Sequence, residues 1–330
     1  MKHKLSITIL LLSIFLATQF IGLFVINAYT PITIMNPQTG EITHSKINDL
    51  PFGLQTPDDE QPTFYNLILA FLFAIALIFI LMKYKWKTII RLWFFVVTIL
   101  ALSISLNAFL KMSHYQLLTT HYSLIALAIA IPLASLKIFK PNVYSHNLTE
   151  LLIYPGIAAV FVPILVRPAA TTFLGKIWPI ATLLILISLY DAWAVWKSGI
   201  MQKMASFQMN ELKIFGGLMI PSLSKKVQTE IKKIKQKYKG KKIPAKIKKK
   251  KFKVNLAILG GGDIIFPIIT AGVFLRTFGL IPALFVTAGA FIALTYLFAI
   301  TKKDKAYPAM PYITVGIFIA IALAWKILSL

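Results

Sequence analysis

The chain of 330 residues is 58% hydrophobic, has a mean hydropathy of +0.75 and contains no cysteine. These values exclude an ordinary soluble domain, a disulfide framework and any chemistry that needs a thiolate. The formal net charge of +24 comes mostly from one lysine-rich segment. The five histidines form no HExxH pair, which argues against a zinc protease of that type, and no serine elbow or phosphate-binding glycine pattern occurs.

Apolar runs of about 20 residues, the length that crosses a bilayer as a helix, occur nine times. The predicted spans cover about residues 5–28, 63–82, 89–110, 119–136, 147–166, 177–197, 254–275, 279–300 and 307–328. The first run is too long for a signal peptide and lacks a convincing cleavage site, so we expect a retained anchor helix. The sequence therefore predicts an all-α polytopic membrane protein with nine transmembrane helices.

The basic residues are unequally divided between the two sides of this predicted bundle. With the N-terminus in the cytoplasm, only six of the 35 lysines and arginines lie on the other side. These six are Lys46, Lys111, Arg167, Lys176, Arg276 and Lys326. The positive-inside rule then predicts a cytoplasmic N-terminus and an extracytoplasmic C-terminus. The acidic loop 29–62 would lie outside the cytoplasm, where it suits a small hairpin or strand segment.

Most of the charge lies in the segment 197–253, which contains 18 lysines against two glutamates. Its second half is of low complexity and is expected to be disordered and attracted to anionic lipid head groups. Nucleic acid is not an expected partner, because no base-reading module or aromatic platform accompanies the lysines. The first half, IMQKMASFQMNELKIFGGLMIPSL, is expected to lie along the membrane surface or to pack against the sixth span.

Four regions follow from these patterns. Residues 1–176 form a predicted N-terminal five-helix scaffold with the extracytoplasmic loop 29–62. Residues 177–197 form the sixth span, residues 198–253 a cytoplasmic amphipathic and lysine-rich loop, and residues 254–330 spans seven to nine.

Two of the eleven acidic residues lie well inside predicted spans. Asp191 lies in the sixth span, within LISLYDAWAVW, and Asp263 lies in the seventh, within ILGGGDIIFP. A carboxylate at such depth is costly and usually functional, with a partner nearby. At about 1.5 Å per residue, the two aspartates lie about 9 and 15 Å from the cytoplasmic ends of antiparallel spans. They can therefore face each other at comparable depth.

Two neighbouring carboxylates in a low-dielectric environment cannot both ionise easily, so such a pair shares a proton near neutral pH. The ionised member can deprotonate a water molecule while the protonated member polarises a scissile carbonyl. The glycines before Asp263 let an extended peptide backbone approach closely. Irregular backbone at this depth is tolerated where it lines a water-filled cavity, which hydrolysis also needs.

A third element, YPAMPYI at residues 307–313, begins the ninth span with two prolines that stiffen the backbone. Alone, it is an ordinary helix start, and GGGD alone could be a helix-packing patch. Together with the YD pair (Tyr190 and Asp191) and GGGD at residues 260–263, it resembles the presenilin and signal peptide peptidase group. These are the intramembrane GxGD aspartyl proteases. The resemblance covers the nine-span layout and is most specific over spans six to nine.

The resemblance implies a role for each matching residue. Asp191 and Asp263 would be the catalytic pair, and active-site support would come from Tyr190, Gly260, Gly261 and Gly262. The family's PAL segment, which shapes the site and supports substrate backbone, corresponds to Pro308, Ala309, Met310 and Pro311. Here Met310 replaces the family's leucine, a residue of similar volume, so only the side-chain contact is in question. No cofactor and no metal are expected.

The resemblance also implies partners and location. Substrates would be transmembrane segments, and because the predicted orientation is that of presenilin, their N-termini would lie outside and their C-termini inside. The lack of cysteines and sorting signals favours a prokaryotic plasma membrane. The sequence does not indicate an oligomeric state.

Two other classes of function are open at this point. Paired intramembrane aspartates and helices broken by glycine or proline also occur in ion-coupled carriers, although no second GGGD or YD forms an internal repeat. A non-catalytic scaffold acting through the lysine-rich loop would leave the two aspartates unexplained. Among GxGD enzymes, the prepilin-type peptidases fit the nine spans and the PAMP segment poorly.

Overall fold

A computed structural model describes residues 5–30, 32–35, 42–45, 86–112, 122–140, 142–167, 170–199, 206–212, 214–223, 254–301 and 307–328, with isolated positions between them. Eight helices lie in this part of the chain: α1 (Leu5–Ala28), α2 (Lys87–Met112), α3 (Tyr122–Phe139), α4 (Val143–Leu165), α5 (Phe173–Trp193), α6 (Gly261–Phe278), α7 (Leu280–Ile300) and α8 (Met310–Leu328). Two π-helical turns (Ala194–Ser198 and Phe207–Leu212) and four short strands complete it: β1 (Ile32–Met35), β2 (Ile42–Ser45), β3 (Gly217–Leu223) and β4 (Val254–Gly260).

All eight helices are long and apolar enough to cross a membrane. The predicted all-α polytopic membrane fold is therefore confirmed. The predicted span at 63–82 lies outside the described residues apart from isolated positions, and so does most of the lysine-rich half of the loop. The orientation of the termini stays a prediction.

The strands form two antiparallel pairs. β1 and β2 pair within the loop 29–62, where a hairpin or strand segment was expected. β3 pairs with β4, in a register that places Gly217 opposite Gly260 and Leu223 opposite Val254. β4 leads directly into α6. We name the end of the helix bundle that carries β3 and β4 the sheet end.

The start of the seventh span differs from the prediction. Residues 254–260 are a strand, and the helix begins only at Gly261. Three successive glycines are poor helix formers, and the apolar stretch before them pairs with an equally apolar stretch in β3. Asp263 therefore lies in the first turn of its helix rather than deep within it.

The described part of the first half of the loop contacts α2 and α3, which was not predicted. Leu212 packs with Ile90 of α2 and Ile138 of α3, and the Glu211 carboxylate lies 2.6 Å from Lys87 Nζ. The chain then continues into β3, which packs against α4. The segment thus lies across the sheet end of α2 and α3.

The core is built around α1, α4 and α6, which lie close together. A Cβ on Gly272 of α6 would lie 2.5 Å from a side-chain carbon of Ile26, and one on Gly22 of α1 would overlap Ile268. Close approach through small residues is the usual way in which transmembrane helices pack. This packing places the first turn of α6 in the interior, beside α4.

Candidate active site

The two aspartates predicted from the sequence lie together at the sheet end. Asp191 is in the last turn of α5 and Asp263 is in the first turn of α6. The last turn of α5 lies beside the first turn of α6, so the two carboxylates are close enough to interact electrostatically. The Asp191 residue is only 6% exposed, whereas Asp263 is partly exposed. The arrangement is a pair of carboxyl groups in the interior of a membrane-spanning bundle.

The PAMP segment lies against the first of these carboxylates. The backbone N–H of Met310 donates to Asp191 Oδ2 over 3.0 Å, and the backbone N–H of Ala309 faces the same carboxylate. Pro308 is buried and Pro311 is partly buried. The contact is made by the backbone, so it does not depend on whether the third residue of the motif is leucine or methionine.

A second contact holds α5 and α8 together near the aspartate. The hydroxyl of Ser188, one turn before Asp191, lies 2.7 Å from the hydroxyl of Thr314. Both hydroxyls are within the apolar bundle, where each finds its partner in the other. The PAMP segment and Asp191 are therefore joined by a backbone hydrogen bond and a nearby side-chain hydrogen bond.

The three glycines before Asp263 have different surroundings. A Cβ on Gly260 would lie 3.1 Å from Asp263 Oδ2, and a Cβ on Gly261 would lie 2.7 Å from Tyr154 Oη. Gly262 is exposed, and a Cβ there would meet only the Phe266 ring. Gly261 thus leaves room for a tyrosine hydroxyl, and Gly260 leaves room for the carboxylate.

Tyr190, the first residue of the YD pair, does not join this group. Its ring packs beside Trp193 with 6.2 Å between ring centroids, and its side chain is partly exposed. Among the described residues, no hydrogen bond links Tyr190 to either carboxylate.

The outer edge of β3 is covered by the first turns of α4. Asn147 receives the Met219 N–H at 3.0 Å and donates its amide to the Met219 carbonyl at 2.7 Å, in the manner of a neighbouring strand. His146 Nε2 lies 2.7 Å from the Gly217 carbonyl oxygen, and Pro221 has no N–H to pair. These contacts hold the β3–β4 pair against α4 and leave β4 with the outer edge of the sheet.

A line of polar side chains follows one face of α4 from the sheet towards Asp263. His146, Glu150 and Tyr154 are spaced four residues apart, which places them on the same face, and all three are buried. The Glu150 carboxylate is paired with Lys137 of α3, which is also buried. Burial of this ion pair inside the bundle was not predicted from the sequence.

A cavity of about 300 Å³ lies beside this line, under β3. It is lined by Lys137, Asn142, Val143, His146, Met209, Ile214, Phe215 and Met219. Neither aspartate contributes to it. In the described part of the chain, no group of three His, Asp or Glu side chains is placed to hold a metal ion.

Sequence reasoning missed three parts of the site. The β3–β4 pair was hidden in apolar runs, and Tyr154 carried no motif. The third is Gln19 of α1, which is fully buried. Its side-chain amide donates to the carbonyl of Ile264, the residue after Asp263, at 3.1 Å. A buried glutamine within an apolar helix was the one available signal for this last contact.

Comparison with known proteins agrees with this geometry. A family model described as signal-peptide peptidase, presenilin aspartyl protease matches residues 12–327. No curated protein sequence matches the chain significantly. Solved structures share the fold, and two of them are described as presenilin family intramembrane aspartate proteases. One, in space group C222, is 14% identical with a TM-score of 0.55, over 97% of this chain and 99% of that chain. The other, in space group P2, is 16% identical with a TM-score of 0.53, over 96% of each chain.

The family match and the membrane-spanning helices together indicate an intramembrane aspartate protease, an integral membrane protein whose substrates are transmembrane proteins. Since the match extends over nearly the whole length, this chain belongs to the signal-peptide peptidase and presenilin family of aspartyl proteases.

Proposed function

We propose that the protein is an intramembrane endopeptidase of the GxGD type, in which Asp191 and Asp263 together activate a water molecule. The observation that carries this proposal is the meeting of the last turn of α5 with the first turn of α6. It brings the two carboxyl groups within electrostatic range. A pair of carboxyls that share one proton supplies both the base and the acid that peptide hydrolysis needs.

The surroundings of the two carboxyls suggest how the roles are divided. The Asp191 carboxylate faces the backbone N–H groups of Met310 and Ala309, whereas Asp263 faces one, that of Gly260. Because each such donor stabilises the ionised form, Asp191 is the charged member. It takes a proton from water while the water oxygen bonds to the scissile carbon, and Asp263 gives its proton to the carbonyl oxygen. When the C–N bond breaks, Asp191 returns a proton to the leaving nitrogen and Asp263 regains one from the tetrahedral hydroxyl. Activity should therefore show a bell-shaped dependence on pH.

The sheet suggests how a substrate reaches the pair. Because α4 covers the outer edge of β3, the outer edge of β4 is the one left for a further strand. Among the described residues, no strand pairs with that edge. An extended peptide added there would gain main-chain hydrogen bonds and would run towards Asp263, since β4 continues into α6. A transmembrane helix would have to unwind locally to do so.

The orientation of the chain determines which substrates can enter. The charge distribution favours a cytoplasmic N-terminus and, with nine spans, a C-terminus outside. Substrates would then enter with their N-termini outside. The lysine-rich loop would then bind anionic head groups of a prokaryotic plasma membrane. Reporters fused after Leu330 and inserted near Lys241 should read opposite sides; the same side for both would overturn this orientation.

Cleavage of a model single-span substrate by the purified protein tests the function. Product masses should place the cut within the span, because the carboxyl pair lies inside the bundle. The second candidate, an ion-coupled carrier, predicts ion flux into proteoliposomes that is lost when either aspartate is neutralised, with no cleavage products. Flux without cleavage would replace the protease proposal with the carrier.

A further inference from the structure

Tyr154 carries a buried hydroxyl that the fold does not use. Its side chain is 5% exposed, and among the described residues its Oη has no hydrogen-bond partner. Buried polar groups are almost always paired, so an unpaired one calls for an explanation. The Glu150 carboxylate, one turn away on α4, lies within interaction range of this hydroxyl but outside hydrogen-bond geometry, and it is ion-paired with Lys137.

Tyr29 is the other buried tyrosine among the described residues, and its contacts are those of a structural residue. Tyr29 donates to the Ile104 carbonyl at 2.7 Å and accepts the Asn107 amide at 3.2 Å. Both of its hydrogen-bonding capacities are met by protein groups. The Tyr154 hydroxyl has no partner that meets hydrogen-bond geometry among the described residues, although Tyr154 is also buried.

The Tyr154 hydroxyl lies at the start of α6. A Cβ on Gly261 would lie 2.7 Å from Oη, so the hydroxyl rests against the first residue of α6, two residues before Asp263. It is also within electrostatic range of the Asp263 carboxyl. Glycine at 261 is what allows this approach. The hydroxyl therefore lies beside the first turn of α6, the turn that carries Asp263.

Building on the proposed function, we propose that Tyr154 is a further catalytic residue, whose hydroxyl donates a hydrogen bond to the oxygen of the tetrahedral intermediate. A donor held in place before the substrate arrives needs no reorganisation during the reaction, and in a water-poor site such donors are effective. The N-terminus of α6 contributes a dipole of the same sign at this point. The oxygen that forms during the reaction would then be the hydrogen-bond partner of the Tyr154 hydroxyl.

The test compares Tyr154→Phe with Tyr29→Phe as a matched control. Removing an oxyanion donor typically costs about 100-fold to 1,000-fold in kcat, and because Asp263 also serves this oxygen we expect a loss of about 10-fold to 100-fold. KM should stay within about 2-fold, since the bond is made after substrate binds. Tyr154→Phe loses no hydrogen bond of the folded state, so its midpoint of thermal unfolding should be unchanged or higher. Tyr29→Phe should lower that midpoint and retain the kcat of the folded enzyme.

A peptide with a hydroxyl in place of the scissile carbonyl provides a second readout. Its affinity for Tyr154→Phe should fall by about the same factor as kcat. A kcat within 2-fold of the parent would overturn the inference. So would a fall in thermal stability like that of Tyr29→Phe with activity lost in proportion, because the hydroxyl would then be structural. Asp263→Asn in the same assay separates the two proposals: if it is inactive while Tyr154→Phe is fully active, only the role of Tyr154 fails.

Discussion

Replacement of Asn147 by leucine should loosen the strand pair without unfolding the helices. Asn147 makes two hydrogen bonds to Met219, of 2.7 and 3.0 Å, and each contributes about 1 kcal/mol net. Their loss removes about 2 kcal/mol from the docking of β3 against α4. Since about 1.4 kcal/mol corresponds to a factor of ten, local opening of the sheet should become about 30-fold more frequent. Substrate cleavage should become slower and less uniform in its position.

Hydrogen exchange measured by mass spectrometry tests this directly. Peptides that cover β3 and β4 should exchange faster in Asn147→Leu, whereas peptides from α1 and α7 should not change. Asn142→Ala is the matched control. Asn142 is the N-cap of the same helix, where its side chain accepts the Tyr144 N–H at 3.2 Å, and it makes no hydrogen bond to β3. This control should cost about 1 kcal/mol or less without selective exchange in the sheet. Equal exchange of the sheet in both variants would refute the view that Asn147 docks it.

Two further predictions concern Gly217, the first residue of β3, and the buried ion pair of Lys137 and Glu150. Gly217 has a φ of 145° and a Cβ there would lie 2.3 Å from the Leu259 carbonyl, so Gly217→Ala should abolish cleavage in a protein that remains helical. Gly216→Ala, where a Cβ would meet nothing within 4 Å, should keep its activity, and loss of activity in both would count against a specific effect at the strand pair. Lys137→Met should cost about 3–5 kcal/mol because it leaves the Glu150 carboxylate buried without its partner. The double variant Lys137→Met with Glu150→Gln should recover most of the thermal midpoint, and no recovery would mean that Lys137 acts through packing alone.

The sequence was most informative where one physical property decides the structure. Apolar length predicted the spans, and the cost of burying charge singled out Asp191 and Asp263. It was least informative at residues 254–260, because an apolar strand buried in the bundle and the start of an apolar helix have the same composition. Only the pairing with residues 217–223, more than 30 positions away in the chain, distinguishes them.

The polar residues of α4 could not be predicted for a related reason. The pairing of Glu150 with Lys137 could not be predicted, because neither the partner nor the depth of the helix can be placed without the fold. Tyr154 belongs to no motif, and its distinguishing feature is the absence of a hydrogen-bond partner in three dimensions. Such features depend on contacts between helices, which local sequence does not encode.

The central claim is that Asp191 and Asp263 act as one catalytic pair. The most direct measurement is cleavage of a single-span substrate by Asp191→Asn and Asp263→Asn, with Glu211→Gln as a control carboxylate remote from the pair. Both single variants should lose activity by orders of magnitude while folding normally, because relief of repulsion between two acidic groups does not destabilise the bundle. The Glu211 variant should remain active. Cleavage within the span that persists in either aspartate variant, with contaminating proteases excluded, would contradict the claim.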